Sequence, residues 1–315
     1  MAAPLDRTGR SCTLWRMTPP EPTAAALDLP LDAHLHTDLS PDADVPLDAY
    51  AALARARNVA ELAITDHLDF EPGAPAYAYA EFDRRERVVR EAAERWEDRP
   101  AIRLGVEITW QARYEDEIRA HLRAHAYDYV IGSVHVAREH PLARPATAAA
   151  WTASRTVDEA GAWYWEEVVA ATRSGLFDTI GHLDVIKRWL VPYYGPFEYE
   201  GHADTYDRVL RALVEAGTAL EVNSSGLRTD IPGPFPHPGE PYPPAAVVGR
   251  FRALGGTRVV AGSDAHRVAS FAAALPEAYA VLRAAGFERL AFRRGGGALE
   301  IDLSGSSPIA AGAAR

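Results

Sequence analysis

The sequence predicts an α/β fold, specifically a closed barrel of seven strand–helix units in a single domain. From residue 30 onward, short apolar runs alternate with Ala/Glu/Arg-rich stretches of helical length, which is the pattern of parallel strands joined by crossover helices. Seven such units fill about 275 residues, and no linker-like change in composition separates them, so one barrel is favoured over two domains. The alternative is an open doubly wound sheet, but the Gly-rich phosphate loop of its nucleotide-binding versions is missing.

The predicted elements alternate regularly along the chain. Strands are predicted at 30–36, 61–66, 101–109, 127–135, 178–184, 219–224 and 257–264. Helices are predicted near 47–57, 80–97, 113–125, 158–174, 203–216, 244–254 and 274–286. Three longer loops, 136–157, 189–201 and 229–244, follow predicted strands and should emerge at the carboxyl end of the barrel, where barrel enzymes place their active sites. The glycine run at 295–297 is predicted to be a turn.

Both ends of the chain are predicted to lie outside the barrel. Residues 1–29 lack periodicity and are predicted to be a flexible tail, in which Met17 is an alternative start. The barrel is expected to span residues 30–304, followed by a C-terminal tail at 305–315.

Composition excludes several classes of function. The net charge of −11 disfavours binding to nucleic acid, since the surface would repel a phosphate backbone. The single cysteine, Cys12, excludes an internal disulfide and thiolate zinc sites, so any metal must be held by His, Asp and Glu. No stretch approaches the ~20 apolar residues needed to cross a bilayer, and residues 1–25 lack the apolar core of a signal peptide. We therefore expect a cytoplasmic protein without a membrane or nucleic-acid partner.

Histidines are concentrated at the carboxyl ends of the predicted strands. Six of the 11 histidines occupy such positions: His34, His36, His67, His135, His182 and His266. His34 and His36 should lie on the same face of one strand, roughly 7 Å apart along it, a spacing that two ligands can close onto one cation. Together with Glu107 and Asp264 they form a His/carboxylate set suited to Zn, Mn or Fe.

Each of these residues also has a structural explanation. The two histidines of the HLH segment could be hydrogen-bonded at a strand end, and Asp66 before His67 could cap a helix. Glu107 could be half of a buried ion pair instead of a metal ligand. His135 and His182 could each be a hydrogen-bonded core residue. The joint pattern favours a metal site, because ligand-type residues end nearly every strand and strand ends converge in a barrel.

The same segments resemble a known family. HLHTDLSPDADVPLD, ITDHLDF, GVEI, DYVIGSVH, GHLDVIKR, LEVNSSGLR and AGSDAHR resemble, in order, the motifs of the PHP (polymerase and histidinol phosphatase) superfamily. The TDHLDF, DVIKR and NSSGLR segments are similar to its histidinol-phosphatase branch. The resemblance extends from about residue 31 to 267 and implies a distorted (β/α)7 barrel with two or three divalent metal ions, Zn, Mn or Fe.

The resemblance also implies which residues hold each ion. The first ion would take His34, His36, Glu107 and Asp264, the second Glu107, His135 and His182, and the third His67 and His266. Many family members have a histidine eight residues after the first of the HxH pair, where this chain has Asp42. An aspartate can also bind a metal, so Asp42 joins the candidate ligands.

These residues allow a phosphate-ester hydrolysis that needs no protein nucleophile. Two cations bridged by Glu107 would lie ~3.5–4 Å apart, lower the pKa of a shared water and hold the oxygens of an in-line displacement at phosphorus. Glu107, Asp264 and His266 are the predicted catalytic residues. Ser40 and Ser133 lack an evident base and are expected to hydrogen-bond near the ligands. Asp32 and Asp184 are expected to orient ligating histidines.

A phosphate dianion also requires cationic side chains. Lys187, Arg188, Arg228 and Arg267 all follow strand ends and are the candidate substrate-binding residues. Only one of the neighbours Lys187 and Arg188 is expected to face the site, and both could be plain surface charges. Trp189, Tyr193, Tyr194 and Phe197 could form a wall around the organic part of a substrate or could simply pack within their loop.

The sequence therefore predicts a metal-dependent phosphomonoesterase acting on a small phosphorylated metabolite. Hydrolysis of L-histidinol phosphate in histidine biosynthesis is the activity that the resemblance implies. One alternative is a PHP enzyme acting on a nucleotide or sugar phosphate. The other is a metal-binding module without catalysis. The oligomeric state and the identity of the metal stay open at this stage.

Overall fold

The computed structural model describes residues 26–97, 99–228, 234–294 and 297–303. The strands in these residues are β1 (Asp32–Leu35), β2 (Glu61–Ile64), β3 (His67–Leu68), β4 (Ala101–Thr109), β5 (Tyr129–Ser133), β6 (Thr179–Ile180), β7 (Ala219–Asn223), β8 (Val259–Gly262), β9 (Arg289–Arg294) and β10 (Gly297–Asp302). The helices are α1 (Leu47–Arg57), α2 (Phe82–Arg95), α3 (Glu115–Ala124), α4 (Pro145–Ala153), α5 (Val157–Arg173), α6 (Lys187–Tyr194), α7 (Ala203–Ala216), α8 (Ala245–Ala253) and α9 (Leu275–Ala284). Within the same residues, no helix is long and apolar enough to cross a membrane.

The strands form a nearly closed parallel barrel. The order is β1-β2-β4-β5-β6-β7-β8, with the short β3 paired to β4 beyond the end of β2. β8 returns to β1 through backbone hydrogen bonds: the Asp264 N–H donates to His34 O (2.8 Å) and the His36 N–H to Ala265 O (3.0 Å). The predicted barrel of seven strand–helix units is thus confirmed, and the open doubly wound sheet is excluded because the two edges meet.

Local sequence explains where several elements begin and end. α5 begins with a capping box, in which Thr156 and Glu159 satisfy each other's backbone N–H groups. α7 ends at Gly217, whose φ of 65° terminates the helix in the left-handed region. The strands of the barrel are almost wholly buried, as expected for a parallel sheet covered by helices on its outer face.

Two of the predicted loops contain helices. Residues 145–153 form α4 within the predicted loop 136–157, because Pro145 occupies the first helical turn and an Ala-rich run follows it. Residues 187–194 form α6, which overlaps the predicted loop 189–201 and contains Pro192. Burial of Leu190 compensates for the proline, so tertiary packing overrides the local signal there.

A C-terminal hairpin was not predicted. β9 and β10 pair in antiparallel register, with Arg289 opposite Asp302. Phe292 of β9 packs on Tyr129, the first residue of β5, with ring centroids 4.7 Å apart. The hairpin therefore covers the amino-terminal end of the barrel, opposite the end where the candidate ligands lie. Residues 295 and 296 of the predicted turn lie outside the described residues.

The folded part begins before the predicted boundary at residue 30. Leu29 is buried, and its backbone N–H donates to Asn58 O (3.1 Å) at the end of α1. Leu29 is therefore part of the core and not of a flexible tail. Residues 1–25 with Met17, residues 229–233 of the third loop and the predicted C-terminal tail 305–315 lie outside the described residues.

Candidate metal centre

The predicted ligands meet in a cavity at the carboxyl ends of the strands. The cavity has a volume of about 350 Å³. Six of the predicted ligands line it: Asp42, His67, His135, His182, Asp264 and His266. The other three, His34, His36 and Glu107, are fully buried.

Glu107 lies at the middle of the candidate ligands, and one of its oxygens faces three histidines. β4 carries Glu107 inward, and β3 pairs His67 with it in register. Glu107 Oε2 lies 2.8 Å from His67 Nδ1 and 3.5 Å from the Nε2 atoms of both His34 and His36.

The other oxygen of Glu107 faces two further histidines. Glu107 Oε1 lies 3.0 Å from His182 Nε2 and 3.4 Å from His135 Nε2. Each oxygen of this carboxylate therefore has its own group of imidazole nitrogens, which is the arrangement that a bridging ligand between two cations requires.

Asp264 supplies a second carboxylate beside His34 and His36. The residue follows β8 with a φ of 52°, and its Oδ1 lies 3.4 Å from His36 Nε2 and 3.8 Å from His34 Nε2. We call His34/His36/Asp264 and His34/Glu107/His182 the inner groups. In each inner group, the potential ligand atoms lie within 4.8 Å of one another.

Two further histidines form an outer group near the cavity mouth, together with Asp42. Asp42 Oδ2 lies 3.4 Å from both His67 Nε2 and His266 Nε2. Burial alone would raise the pKa of the Asp42 carboxyl, but the hydrogen bonds from His266 and His67 outweigh burial and lower it well below its usual range. The carboxylate that stands in place of the family's histidine is thus in contact with both outer histidines.

Several buried polar atoms at this centre have no hydrogen bond to any described residue. These atoms are His34 Nε2, His36 Nε2, Glu107 Oε2 and His182 Nδ1. His67 Nδ1 lies close to Glu107 Oε2, but this contact does not have hydrogen-bond geometry. Leaving such atoms unsatisfied costs about 1–3 kcal/mol each. The first three point toward one another, so a bound cation would satisfy them together. The donor set, imidazole and carboxylate without thiolate, fits Zn, Mn or Fe.

The protonation states of two candidate ligands, Glu107 and His36, suit metal binding. Burial alone would raise the pKa of the Glu107 carboxyl, but the charges of His67, His34 and His135 hold it well below its usual range. Burial and the nearby charges of His266 and His67 hold the pKa of His36 well below its usual value. An ionised Glu107 and a neutral His36 are the forms that coordinate a cation. At His34 and His67, burial alone would lower the pKa of each imidazole, but neighbouring carboxylates raise it, so a cation would displace a proton from both rings.

Glu221 is a functional candidate that the sequence analysis missed. This residue of β7 is fully buried, with its Oε1 2.7 Å from His34 Nδ1. The signal was the one that identified Glu107, a carboxylate inside an apolar strand, which is costly to bury without a partner. In the sequence, the LEVN segment supports the predicted strand at 219–224 and the family resemblance, and neither singles out Glu221.

Asp32 and Asp184 were predicted to orient ligating histidines, and Asp32 does accept from the His34 backbone N–H (3.4 Å). Asp32 also accepts hydrogen bonds from the backbone N–H and hydroxyl of Ser263 and so ties β1 to β8. Asp184 accepts from Tyr206 Oη (2.7 Å) and makes no hydrogen bond to a ligating ring within the part of the chain that the structure describes. Asp66 caps no helix: it accepts from the Thr37 N–H (2.6 Å) and the Ser40 hydroxyl (3.0 Å) and thereby holds the loop after His36.

The four candidate cationic residues occupy different places. Arg188 lines the cavity and is fixed by donation from its Nε to Phe235 O (2.6 Å). Arg228 lies behind the cavity wall, where it donates to Asp264 O (3.1 Å). Arg267 is exposed and lines a separate surface groove. Arg267 therefore does not line the cavity, and its contact with substrate stays a prediction.

Lys187 is the member of the Lys187/Arg188 pair that points away from the cavity, and only one of the two was expected to face it. Its side chain is fully buried, and Nζ contacts Asp184 and Glu240. It belongs to the helix α6 and not to a strand, so it points into the protein while Arg188 points into the cavity.

Only one of the four aromatic residues considered as a substrate wall lines the cavity. Trp189 does so. Tyr193 and Tyr194 donate from their hydroxyls to backbone carbonyls of the 145–156 segment, and Phe197 stacks on His202. The segment after β3 also lines the cavity, with Asp69, Glu71 and Ala76.

The sequence matches one family model and several known proteins. The family model described as PHP domain matches residues 32–225. A probable histidinol-phosphatase of Deinococcus radiodurans is 29% identical over 83% of this chain and 96% of the relative. A probable histidinol-phosphatase of Thermotoga maritima is 26% identical over 83% of this chain and 94% of the relative.

A solved structure has the same fold. The histidinol phosphate phosphatase of Lactococcus lactis, crystallised with Zn, L-histidinol and phosphate, aligns with a TM-score of 0.69 at 23% identity. The alignment covers 85% of this chain and 98% of that protein.

Proposed function

The chain belongs to the PHP domain family, and on this premise we propose that it is a metal-dependent phosphomonoesterase that hydrolyses L-histidinol phosphate in histidine biosynthesis. The observation that carries the proposal is the convergence of imidazole and carboxylate ligands on Glu107, with unsatisfied buried nitrogens facing its oxygen. The names of the relatives support the substrate.

We assign the ligands to three ions. The first would be held by His34, His36, Glu107 and Asp264, the second by Glu107, His135 and His182, and the third by His67, His266 and Asp42. When bound, ions in such a site act as Lewis acids, lower the pKa of a water and neutralise charge at phosphorus. The oxygens of Glu107 face different histidines, so this residue would link the first two positions.

The protein groups support attack by water and not by a side chain. Ser40 donates from its hydroxyl to Asp66 and accepts from the His67 N–H, so its oxygen is fully engaged. Ser133 is completely buried, and its Oγ has no hydrogen-bond partner among the described residues, so no base is available to it. Neither hydroxyl is arranged as a nucleophile beside a base.

Arg188 is the side chain that we assign to the substrate phosphate. Its guanidinium lines the same cavity as His182 and Asp264, and the bond to Phe235 O fixes its orientation. A guanidinium presents paired donors to a phosphate, and its fixed position reduces the entropy lost on binding. Arg228 adds positive charge from behind Asp264.

The alternatives predict different measurements. Protein loaded separately with Mn, Zn and Fe is tested for turnover of histidinol phosphate, a nucleotide monophosphate, a sugar phosphate and an aryl phosphate. We expect kcat/KM for histidinol phosphate to exceed the others at least ~100-fold, because contacts to non-reacting groups contribute at the reacting centre. Comparable values for all four would overturn the substrate assignment but leave phosphatase chemistry. Full metal occupancy without any turnover would favour the non-catalytic module.

A further inference from the structure

The carboxylate of Glu221 contacts His34, a proposed ligand of the first ion, and His182, a proposed ligand of the second. We call these two the inner ions. We propose that Glu221 is a positioning residue that couples them: it holds the His34 ring and the His182 main chain at a fixed separation, so that the two inner ions bind together. The inference rests on the proposed metal site and not on the proposed substrate.

Both oxygens of Glu221 are engaged by these two histidines. Oε1 lies 2.7 Å from His34 Nδ1, and Oε2 accepts from the His182 backbone N–H at 2.5 Å. Asn223 adds a donor to Oε2 at 3.2 Å. With Nδ1 facing Glu221, the His34 ring presents Nε2 to Glu107 and Asp264. Glu221 thus sets which nitrogen of His34 is available to a cation.

The bond to His182 stabilises an unusual backbone conformation. His182 has a φ of 29°, in the left-handed region that residues other than glycine rarely adopt. Such a conformation persists only when its surroundings hold it. Acceptance of its N–H by Glu221 is one such restraint, and it directs His182 Nε2 toward Glu107 Oε1.

The contact between His34 and Glu221 also requires a glycine on the neighbouring strand β8. A Cβ on Gly262 of β8 would lie 2.3 Å from His34 Cβ and 2.9 Å from Glu221 Oε1. Three strands, β1, β7 and β8, are therefore fitted around the His34–Glu221 contact.

The two contacts of Glu221 each use one of its oxygens as an acceptor. A glutamine at this position has one acceptor oxygen and one donor NH₂ group. If the oxygen accepted from the His182 N–H, the NH₂ would donate to His34 Nδ1 and place the ring proton on Nε2, which removes the metal-facing lone pair. In the opposite orientation, the NH₂ would face the His182 N–H, and two donors would meet.

The test compares Glu221→Gln with a matched buried carboxylate. Glu61 of β2 is also buried but pairs with Arg103 (2.6 Å), and Glu61→Gln serves as the control. Metal-free protein is titrated with Co²⁺, and binding is followed by visible absorption and by competition with a chelator. We expect Glu221→Gln to lower the affinity for both inner cobalt ions together, by ~10–100-fold. Losses of this size follow when a residue that hydrogen-bonds to a metal ligand is removed from other metalloproteins. Glu61→Gln should bind cobalt with the affinity of the wild type.

Three results would count against the inference. Cobalt affinities within about threefold of the wild type in Glu221→Gln, or weakening of one inner ion alone, would overturn the coupling. If Glu221→Gln does not fold by circular dichroism, Glu221→Asp takes its place, and unchanged affinity in that variant has the same meaning. Wild-type protein that binds no cobalt would instead overturn the proposed metal site and with it the inference.

Discussion

Lys187 Nζ lies 3.0 Å from Asp184 Oδ2, and both side chains are fully buried. The same ammonium lies 2.7 Å from Glu240 Oε1 and over the ring of Tyr242. Asp184 follows His182 in the chain, whereas Glu240 belongs to the proline-rich segment before α8. Lys187 is the only lysine of the chain. It joins the segment of Asp184 to that of Glu240, and the next residue, Arg188, lines the cavity.

Removal of this lysine should destabilise the fold. Lys187→Met leaves Asp184 buried without its counterion, and breaking a buried pair in this way costs about 3–5 kcal/mol. The free energy of unfolding is measured by urea denaturation. Arg95→Met is the control, since its pair with Asp48 is exposed and should contribute less than about 1 kcal/mol. Equal, small effects of both variants would show that Lys187 does not stabilise the fold.

The barrel was predictable because each strand carries its own signal. Apolar β-branched runs ended by ligand-type residues predicted the barrel strands, and the family assignment is confirmed. The helix α4 was predicted to be part of a loop because its segment is rich in Ala, Thr and Pro. A proline in the first turn followed by alanines is, however, a typical start of a helix. The helix α6 depends on burial of Leu190, which only tertiary structure reveals.

The site residues also fall into those that the sequence could identify and those that it could not. Ligands at strand ends were found because convergence follows from the barrel itself. Lys187 and Arg267 were assigned by proximity in sequence, which does not determine the direction of a side chain beyond the end of a strand. Glu221 carries the same signal as Glu107, but its partner His34 lies 187 residues away. The roles of the ligands stay predictions, which the following experiments test.

The first experiment measures how many metal ions the purified protein binds. We expect at least two transition-metal ions per chain, because the ligand groups around Glu107 are preformed and contain no thiolate. A chelator should abolish turnover while the far-ultraviolet circular dichroism stays nearly unchanged, since the barrel core does not depend on the ions. Elemental analysis that finds less than one ion per chain in active protein would contradict this.

Glu107→Gln should reduce kcat at least ~100-fold. The change keeps the shape of the side chain but removes the charge shared by the two sets of histidines, and even contacts behind metal ligands cost ~10–100-fold when lost. Steady-state kinetics and metal content are measured together, with Glu61→Gln as the control. Normal turnover with normal metal content would mean that Glu107 is structural.

His121 should make stability sensitive to acid. Burial, with the charges of His125 and Arg85, lowers the pKa of His121 from 6.5 to about 4. Below pH 6.5 the unfolded chain binds a proton that the folded protein does not, so stability is lost as the pH falls from 6.5 to about 4. His121→Gln should reduce this loss by at most about 3 kcal/mol. The difference between the unfolding free energies of variant and wild type should be constant above pH 7, and a constant difference down to pH 4 would refute the assignment.

Arg188 and Arg267 provide a matched pair for phosphate binding. Both are arginines that follow a strand-end histidine, but only Arg188 lines the cavity. Arg188→Ala should lower kcat/KM for every phosphomonoester by about 10–100-fold, because a hydrogen bond to a charged group contributes ~1.5–3 kcal/mol. Arg267→Ala should change kcat/KM less than about twofold, since this side chain is exposed outside the cavity and solvent screens its charge.

Two further variants separate phosphate binding from recognition of the organic part. Arg188→Lys keeps the charge but loses the paired donors, so its kcat/KM should lie between those of Arg188→Ala and the wild type. Trp189→Ala should instead narrow the ratio of kcat/KM between histidinol phosphate and an aryl phosphate, because Trp189 lines the cavity and bears no charge that could bind phosphate. If Arg188→Ala and Arg267→Ala lowered kcat/KM equally, the phosphate would have to bind elsewhere than beside Arg188.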